Sequence, residues 1–275
     1  MTTKQSVGYH SIVALFSPLE AEQPAARRAA NVAAKLQSQV TLAHIAPASE
    51  SEYESAAADD KVLDQLLEQH PEIVLAKSAK GSLLEIIRLA AEVSGDLIVL
   101  DRLGLSQLQP LLQESSDGKC DHGECDALVV RARGGDEDPK MADYRHIVVA
   151  ADLNDQGLMT IYKAVRMAKR YSARLTLLNV LDQFDADQEQ AVAAKALRSR
   201  GLDAFTAVIE GLEVEKEVLV TAETVHQAVS AYAKHQQADL LVIGSHKYQG
   251  LCVLLGNTAR QVIKETDCDV LVVHE

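Results

Sequence analysis

The strongest constraint in this sequence is that it repeats itself. "GDLIVLDR" (95–102) and "ADLLVIGS" (238–245) lie 143 positions apart, and "CDALVV" (125–130) and "CDVLVV" (268–273) share that offset. Equal offsets on both sides mean that the intervening loop-helix segments have the same length. Near the start of each half, "HSIVALFS" (10–17) matches "HIVVAADL" (146–153) at offset 136, and "AAKLQSQVTLAHI" (33–45) matches "AKRYSARLTLLNV" (168–180) at 135. Whatever one half folds into, the other must fold into as well.

Hydrophobic periodicity says what that unit is. In the second half "HIVVAAD", "RLTLLNVL", "VEKEVLV", "DLLVIG" and "DVLVV" read as strands. Between them Leu158, Ile161, Ala164, Val165 and Ala168 recur at helical spacing. "DADQEQAVAAKALRSRG" is predicted helical and to stop at Gly201, and "AETVHQAVSAYAKHQ" and "TARQVIKET" supply two more helices. Strict strand-helix alternation predicts an α/β fold: two tandem doubly wound domains, each with a five-stranded parallel sheet and about four helices. The segment "RARGGDEDPKMADYRH" (131–146) is charged, carries Gly134, Gly135 and Pro139, and reads as a linker with its seam near Ala142. The domains are therefore placed at 1–135 and 136–275.

Composition narrows the function. Hydrophobic residues make up 47% and aromatics 4%, with no Trp, so the core rests on Ala, Val, Leu and Ile, as parallel strands buried on both faces require. A net charge of −13 repels nucleic-acid phosphates and anionic lipid. No segment reaches the roughly 20 apolar residues of a membrane span, no signal peptide opens the chain, and the four cysteines do not form a disulfide framework. A cytoplasmic protein is expected, with neither nucleic acid nor membrane as partner.

Ligands of doubly wound sheets bind outside the carboxyl ends of the strands, where strand order reverses. In the second half three such ends converge: Ala151-Asp152-Leu153-Asn154, Asn179-Val180, and Gly244-Ser245-His246-Lys247 running through Gly250 to Gly256-Asn257-Thr258 at a helix start. Glycines let backbone amides approach an anion, and a helix N-terminus favours negative charge. Ser245, His246 and Lys247 add donors, and Asp152 is an acceptor for a base amino group or ribose hydroxyls. The alternative is a tight loop closed by glycines, with Asn257 or Thr258 as a plain N-cap. No Gly is followed by Lys-Ser or Lys-Thr, so the loop is not a Walker A motif.

The tandem pattern, the strand-ending Asp in "VVAADL" and the closing "VIGSHKYQGLCVLLGNTARQVIKETDCDVLVV" resemble the universal stress protein family over nearly the whole chain. The resemblance implies dimerisation through the last strand, and hence two halves forming an intramolecular pseudo-dimer through "DALVV" and "DVLVV". For the family's ATP-binding branch it implies a motif of Gly, two residues, Gly, nine residues, Gly and then Ser or Thr. Carried over, Gly244 and Gly256 are the first and third glycines, Asn257 and Thr258 the polar pair, and Asp152 and Val180 the adenine and ribose positions. Lys247 stands at the second glycine, and the span from Gly244 to Gly256 is one residue shorter than the pattern. The implied cofactor is ATP or AMP, with any metal limited to nucleotide-bound magnesium.

In the first half the fixed offset turns Gly244 into Asp101, Lys247 into Gly104, Gly250 into Gln107, Gly256 into Gln113 and Asn257 into Glu114, while Asp152 becomes Phe16. Two carboxylates facing phosphate cost on the order of 1 kcal/mol each, so this half is expected to hold no nucleotide. The cluster Cys120, His122 and Cys125 has metal-capable residues but no second pair, and Cys125 reads as a small buried strand-start residue. No nucleophile elbow, HExxH or dinucleotide fingerprint is present. The expectation is a stress-response binding protein with an unknown protein partner. A nucleotide hydrolase or transferase in the same cleft and a ligand-free scaffold are its rivals.

Overall fold

The computed structural model describes residues 8–16, 23–44, 67–68, 73–75, 89–102, 104–105, 125–131, 142–154, 157–182, 188–207, 209–245 and 256–274. They fall into two compact units, Tyr9–Ala142 and the residues from Asp143 on together with Gly8.

The first unit carries β1 (Ser11–Phe16), α1 (Pro24–Leu36), β2 (Gln39–His44), β3 (Ile73–Leu75), β4 (Leu97–Asp101) and β5 (Asp126–Val130). Its parallel strands run in the order β3-β2-β1-β4-β5. The second carries β6 (His146–Ala150), α2 (Gly157–Tyr171), β7 (Arg174–Asp182), α3 (Gln188–Thr206), β8 (Val214–Thr221), α4 (Val225–His235), β9 (Leu240–Ser245), α5 (Asn257–Glu265) and β10 (Asp269–His274). Its order is β8-β7-β6-β9-β10, again all parallel. Strand order reverses beside β1 in one unit and beside β6 in the other. The central strands are apolar throughout because helices cover both faces: Ile147, Val148, Val149, Leu240, Leu241 and Val242 are all buried. On α2 the residues Ile161, Ala164, Val165 and Ala168 point into this core, as their spacing predicts.

The strand starts are tied by the same bonds in both units. Asp96 accepts the amides of His10 and Ser11 at 2.7 and 3.1 Å, and Asp239 accepts those of Arg145 and His146 at 2.8 and 3.0 Å. Tyr9 donates to Asp126 and Tyr144 to Asp269, both pairs buried. Burial first, then the Asp126 carboxylate, push the Tyr9 phenol well above its ordinary pKa. Ser11 Oγ donates to Val93 O at 2.9 Å, and His146 Nδ1 lies 3.1 Å from Gln236 O in the corresponding place.

These pairs correct the repeat register. Ser11 pairs with Gln39 as His146 pairs with Arg174, so the first strands match at offset 135 and not 136. The counterpart of His146 is Ser11 rather than His10, and that of Asp152 is Ser17 rather than Phe16. Apolar strand interiors look alike after a one-residue slip. The bonds at the strand start do not, and they set the register.

A second correction concerns α3, which passes through Gly201 and runs to Thr206. Gly201 is not a C-terminal cap. A Cβ there would lie 2.7 Å from Leu153 Cδ1, so the glycine makes room for the loop after β6 to rest on the helix.

Candidate functional site

Strand lengths build the site at the switch point. β6 stops at Ala150, whose partners are Leu178 on β7 and Ile243 on β9. Both neighbours continue, β7 to Asp182 and β9 to Ser245. Continuing the register by two residues brings Asp152, Val180 and Ser245 level across three adjacent strands. β7 is longer than predicted from Asn179-Val180, because it goes on pairing with β8 from Val180–Leu219 to Asp182–Thr221. On its β6 side no strand pairing reaches Val180, so that edge of its main chain faces the gap left by β6. An edge of this kind presents a backbone donor and acceptor side by side.

The loop after β6 is held from several directions. Ala151 N donates to Leu178 O at 3.2 Å, and Asn179 Nδ2 donates to Ala151 O at 3.0 Å. Asn154 Oδ1 accepts the amide of Gly157, the first residue of α2, at 2.8 Å. A Cβ on Gly157 would lie 2.0 Å from Asp152 O, so the loop passes directly over the helix start. Asp152 is thereby held, yet its side chain is exposed.

Across the gap stands the N-terminus of α5. Its N-cap is Gly256, with no side-chain cap and no acidic residue in the first turn. The alternative of Asn257 or Thr258 as N-cap is overturned: they occupy the first helical turn, exposed, with their backbone amides among the unpaired donors of a helix start. Gly256 N donates to the buried Ser245 Oγ at 3.3 Å, which ties the helix start to the end of β9. Among the described residues nothing demands glycine at 256. Its φ is −56°, and a Cβ would find only Ser245 Oγ, at 3.4 Å. What the glycine leaves is space beside the amides.

Asp152, Val180, Gly244 and Ser245 thus lie at or just past the carboxyl ends of three neighbouring strands, and Gly256, Asn257 and Thr258 open α5 beside Ser245, while His246, Lys247 and Gly250 lie outside the described residues. Sequence reasoning placed Asn179 at a converging strand end but missed Gly157 as a site-builder; the glycine opening a helix was the available signal. The first unit differs at the equivalent place. Asp101, the counterpart of Gly244, is buried, and its Oδ1 accepts the amide of Gly104 at 2.6 Å. The chain's own carboxylate occupies the donor there. Gln107, Gln113 and Glu114 lie outside the described residues, as do Cys120 and His122. Cys125 is buried at the start of β5. Among the described residues no group of three His, Cys, Asp or Glu could hold a metal, and no helix is long and apolar enough to cross a membrane.

Residues 143–274, the unit that carries this gap, match the model of the universal stress protein family. The second half is a universal stress protein domain. A universal stress protein of Methanocaldococcus jannaschii is 28% identical over 143 residues, which cover 48% of this chain and 83% of that protein. Universal stress protein A homolog 1 of Coxiella burnetii is 27% identical over 47% of this chain and 96% of its own. Both match about one half of this chain, as expected if the relatives carry one such domain and this chain carries two. The fold extends over both halves: a universal stress protein of Archaeoglobus fulgidus superposes with a TM-score of 0.67 at 14% identity, covering 96% of each chain.

Proposed function

We propose that this tandem universal stress protein binds an adenine nucleotide in its second domain and responds to stress through that occupancy rather than through catalysis. The observation that carries the reading is Gly256. Among the described residues neither backbone conformation nor packing requires a glycine there, and its missing side chain leaves space beside the uncapped amides of α5. In this reading the base lies against the β6-facing edge of Val180, Asp152 accepts from the base or ribose, and the phosphates meet Gly256, Asn257 and Thr258 under the helix dipole. His246, Lys247 and Gly250 complete the phosphate side. ATP and AMP are the cofactors the reading names, with magnesium only as the nucleotide's own counter-ion. The first domain holds none, because Asp101 already satisfies the donor that an anion would use.

The test is mass spectrometry of small molecules released on denaturing freshly purified protein, followed by equilibrium dialysis against ATP and AMP. Retention of one of them, weakened at least tenfold by Asp152→Ala, supports the reading. No retention of either leaves the protein a ligand-free scaffold. Multiple turnovers of magnesium-ATP, abolished by the same substitution, would make it an enzyme.

A further inference from the structure

The second domain carries a helix that its own fold hardly uses. Within residues 190–206 of α3 only Leu202 is buried. A helix in water is marginal without an apolar face packed on something, and α3 packs with little more than Ala191, Ala194, Arg198, Gly201, Leu202 and Phe205 turned inward. Its outward face is the unusual part. Val192 and Leu197, 66% and 70% exposed, are the most exposed large apolar side chains among the described residues. Ala193 and Ala196 lie between them and are exposed too, so the i, i+4 rows Val192–Ala196 and Ala193–Leu197 run side by side, with a shallow groove between them that only the two alanine methyls and the two larger side chains border.

The charge on that face runs against the rest of the molecule. Lys195 and Arg200 flank the groove, exposed and without an ion pair among the described residues. Of the two carboxylates of α3, Asp203 is taken by Lys216 of β8 and Glu189 stands in the first turn, so Lys195, Arg198 and Arg200 leave the helix net positive. A basic, apolar groove thus stands on a chain of net charge −13. We propose that the outward face of α3 is a docking site for an acidic amphipathic helix of a partner protein. The partner's large apolar side chains would seat over Ala193 and Ala196 between Val192 and Leu197, and its carboxylates would meet Lys195 and Arg200. A lipid surface is the poorer fit. One Val and one Leu without an aromatic residue give too little area to hold a helix in the interface.

The full chain is titrated with two synthetic helical peptides of identical Leu pattern, one with Glu and one with Lys at every polar position. The expected result is saturable binding of the Glu peptide, at least tenfold tighter than the Lys peptide and weakening as salt is raised. Leu197→Ser and the pair Lys195→Glu with Arg200→Glu should each weaken it at least tenfold. All three positions are exposed, so the folded circular dichroism spectrum should persist in both variants. Equal binding of the two peptides, no binding of either, or affinity unmoved by these substitutions overturns the proposal. So does a dimer in light scattering that Leu197→Ser dissolves, which would make a second copy the occupant. Leu197-dependent binding to vesicles of phosphatidylserine and phosphatidylcholine would assign the face to a membrane instead.

Discussion

Gly157→Ala offers a sharp probe of the proposed nucleotide site, because the residue itself touches no part of the gap. The added methyl would stand 2.0 Å from Asp152 O, and real Cβ contacts do not fall below 3.0 Å, so one of the two must retreat by about 1 Å. The helix will not be the one to move. Thr160, Ile161 and Ala164, one to two turns on, are buried in the core. The loop moves, and Asp152 moves with it. A hydrogen bond tolerates only a few tenths of an ångström around 2.9 Å, so a carboxylate shifted by about 1 Å loses its bond to the ligand. A bond to a charged group is worth roughly 1.5–3 kcal/mol, which predicts nucleotide affinity weakened by about 10- to 150-fold. Stability should fall by no more than roughly 1–3 kcal/mol, the usual cost of a forced methyl, offset in part by the better helix propensity of Ala. Calorimetric titration with ATP and AMP reads the first quantity and urea unfolding the second. A variant that stays folded and binds within twofold of the parent would refute the link between Gly157 and Asp152.

Other substitutions divide site from scaffold. Gly256→Ala should leave stability within about 0.5 kcal/mol, since its φ and surroundings accept a Cβ, while weakening nucleotide binding at least tenfold; a marked loss of stability would show the glycine to be structural. Tyr144→Phe takes a donor from the buried Asp269 carboxylate and should cost roughly 1.5–3 kcal/mol in denaturant unfolding, an effect that a matching fall from Asp269→Asn would corroborate. His146 supplies a pH signature. Burial lowers its pKa, with Arg174 adding to the fall against the pull of Gln236 O. The unfolded chain therefore takes up the proton first as pH drops below about 6.5. Stability present above that pH is lost toward the folded-state pKa, at up to about 1.4 kcal/mol per pH unit. His146→Gln should flatten that slope, and a slope unchanged by the substitution would rule His146 out as its source.

Burial and the neighbours of His146 together disfavour its charged form. Nε2 lies 2.9 Å from Thr176 Oγ1, and Nδ1 lies 3.1 Å from Gln236 O with Arg174 Nη2 at 2.9 Å. A charged ring would be buried beside the Arg174 guanidinium, and that outweighs the acceptor offered by Gln236 O.

Much of this architecture could be read from residues alone, because apolar runs such as "HIVVA" and "DLLVIG" admit little besides buried parallel strands. The reading failed where one residue type serves two purposes. Gly201 looks like a helix stop in sequence, but its missing side chain accommodates Leu153, a contact no local pattern encodes. The one-residue slip that paired His10 with His146 had the same origin: matching letters outweighed the bonds that only the fold displays. At the site, the glycines and Asp152 were visible as residue types. Their meeting depends on β6 being shorter than its neighbours, which emerges only when three strands are laid side by side.

The clasps made by Asp96 and Asp239 bear on how a duplicated protein ages. In each copy the bonds that fasten the sheet gather at the rim where the strands start, and the proposed nucleotide site of the second copy lies at the other. Mutations at the recognising rim thus meet little resistance from folding. A copy that forfeits a ligand can fill the vacancy with a carboxylate of its own, as Asp101 does for the amide of Gly104, and survive as sound masonry.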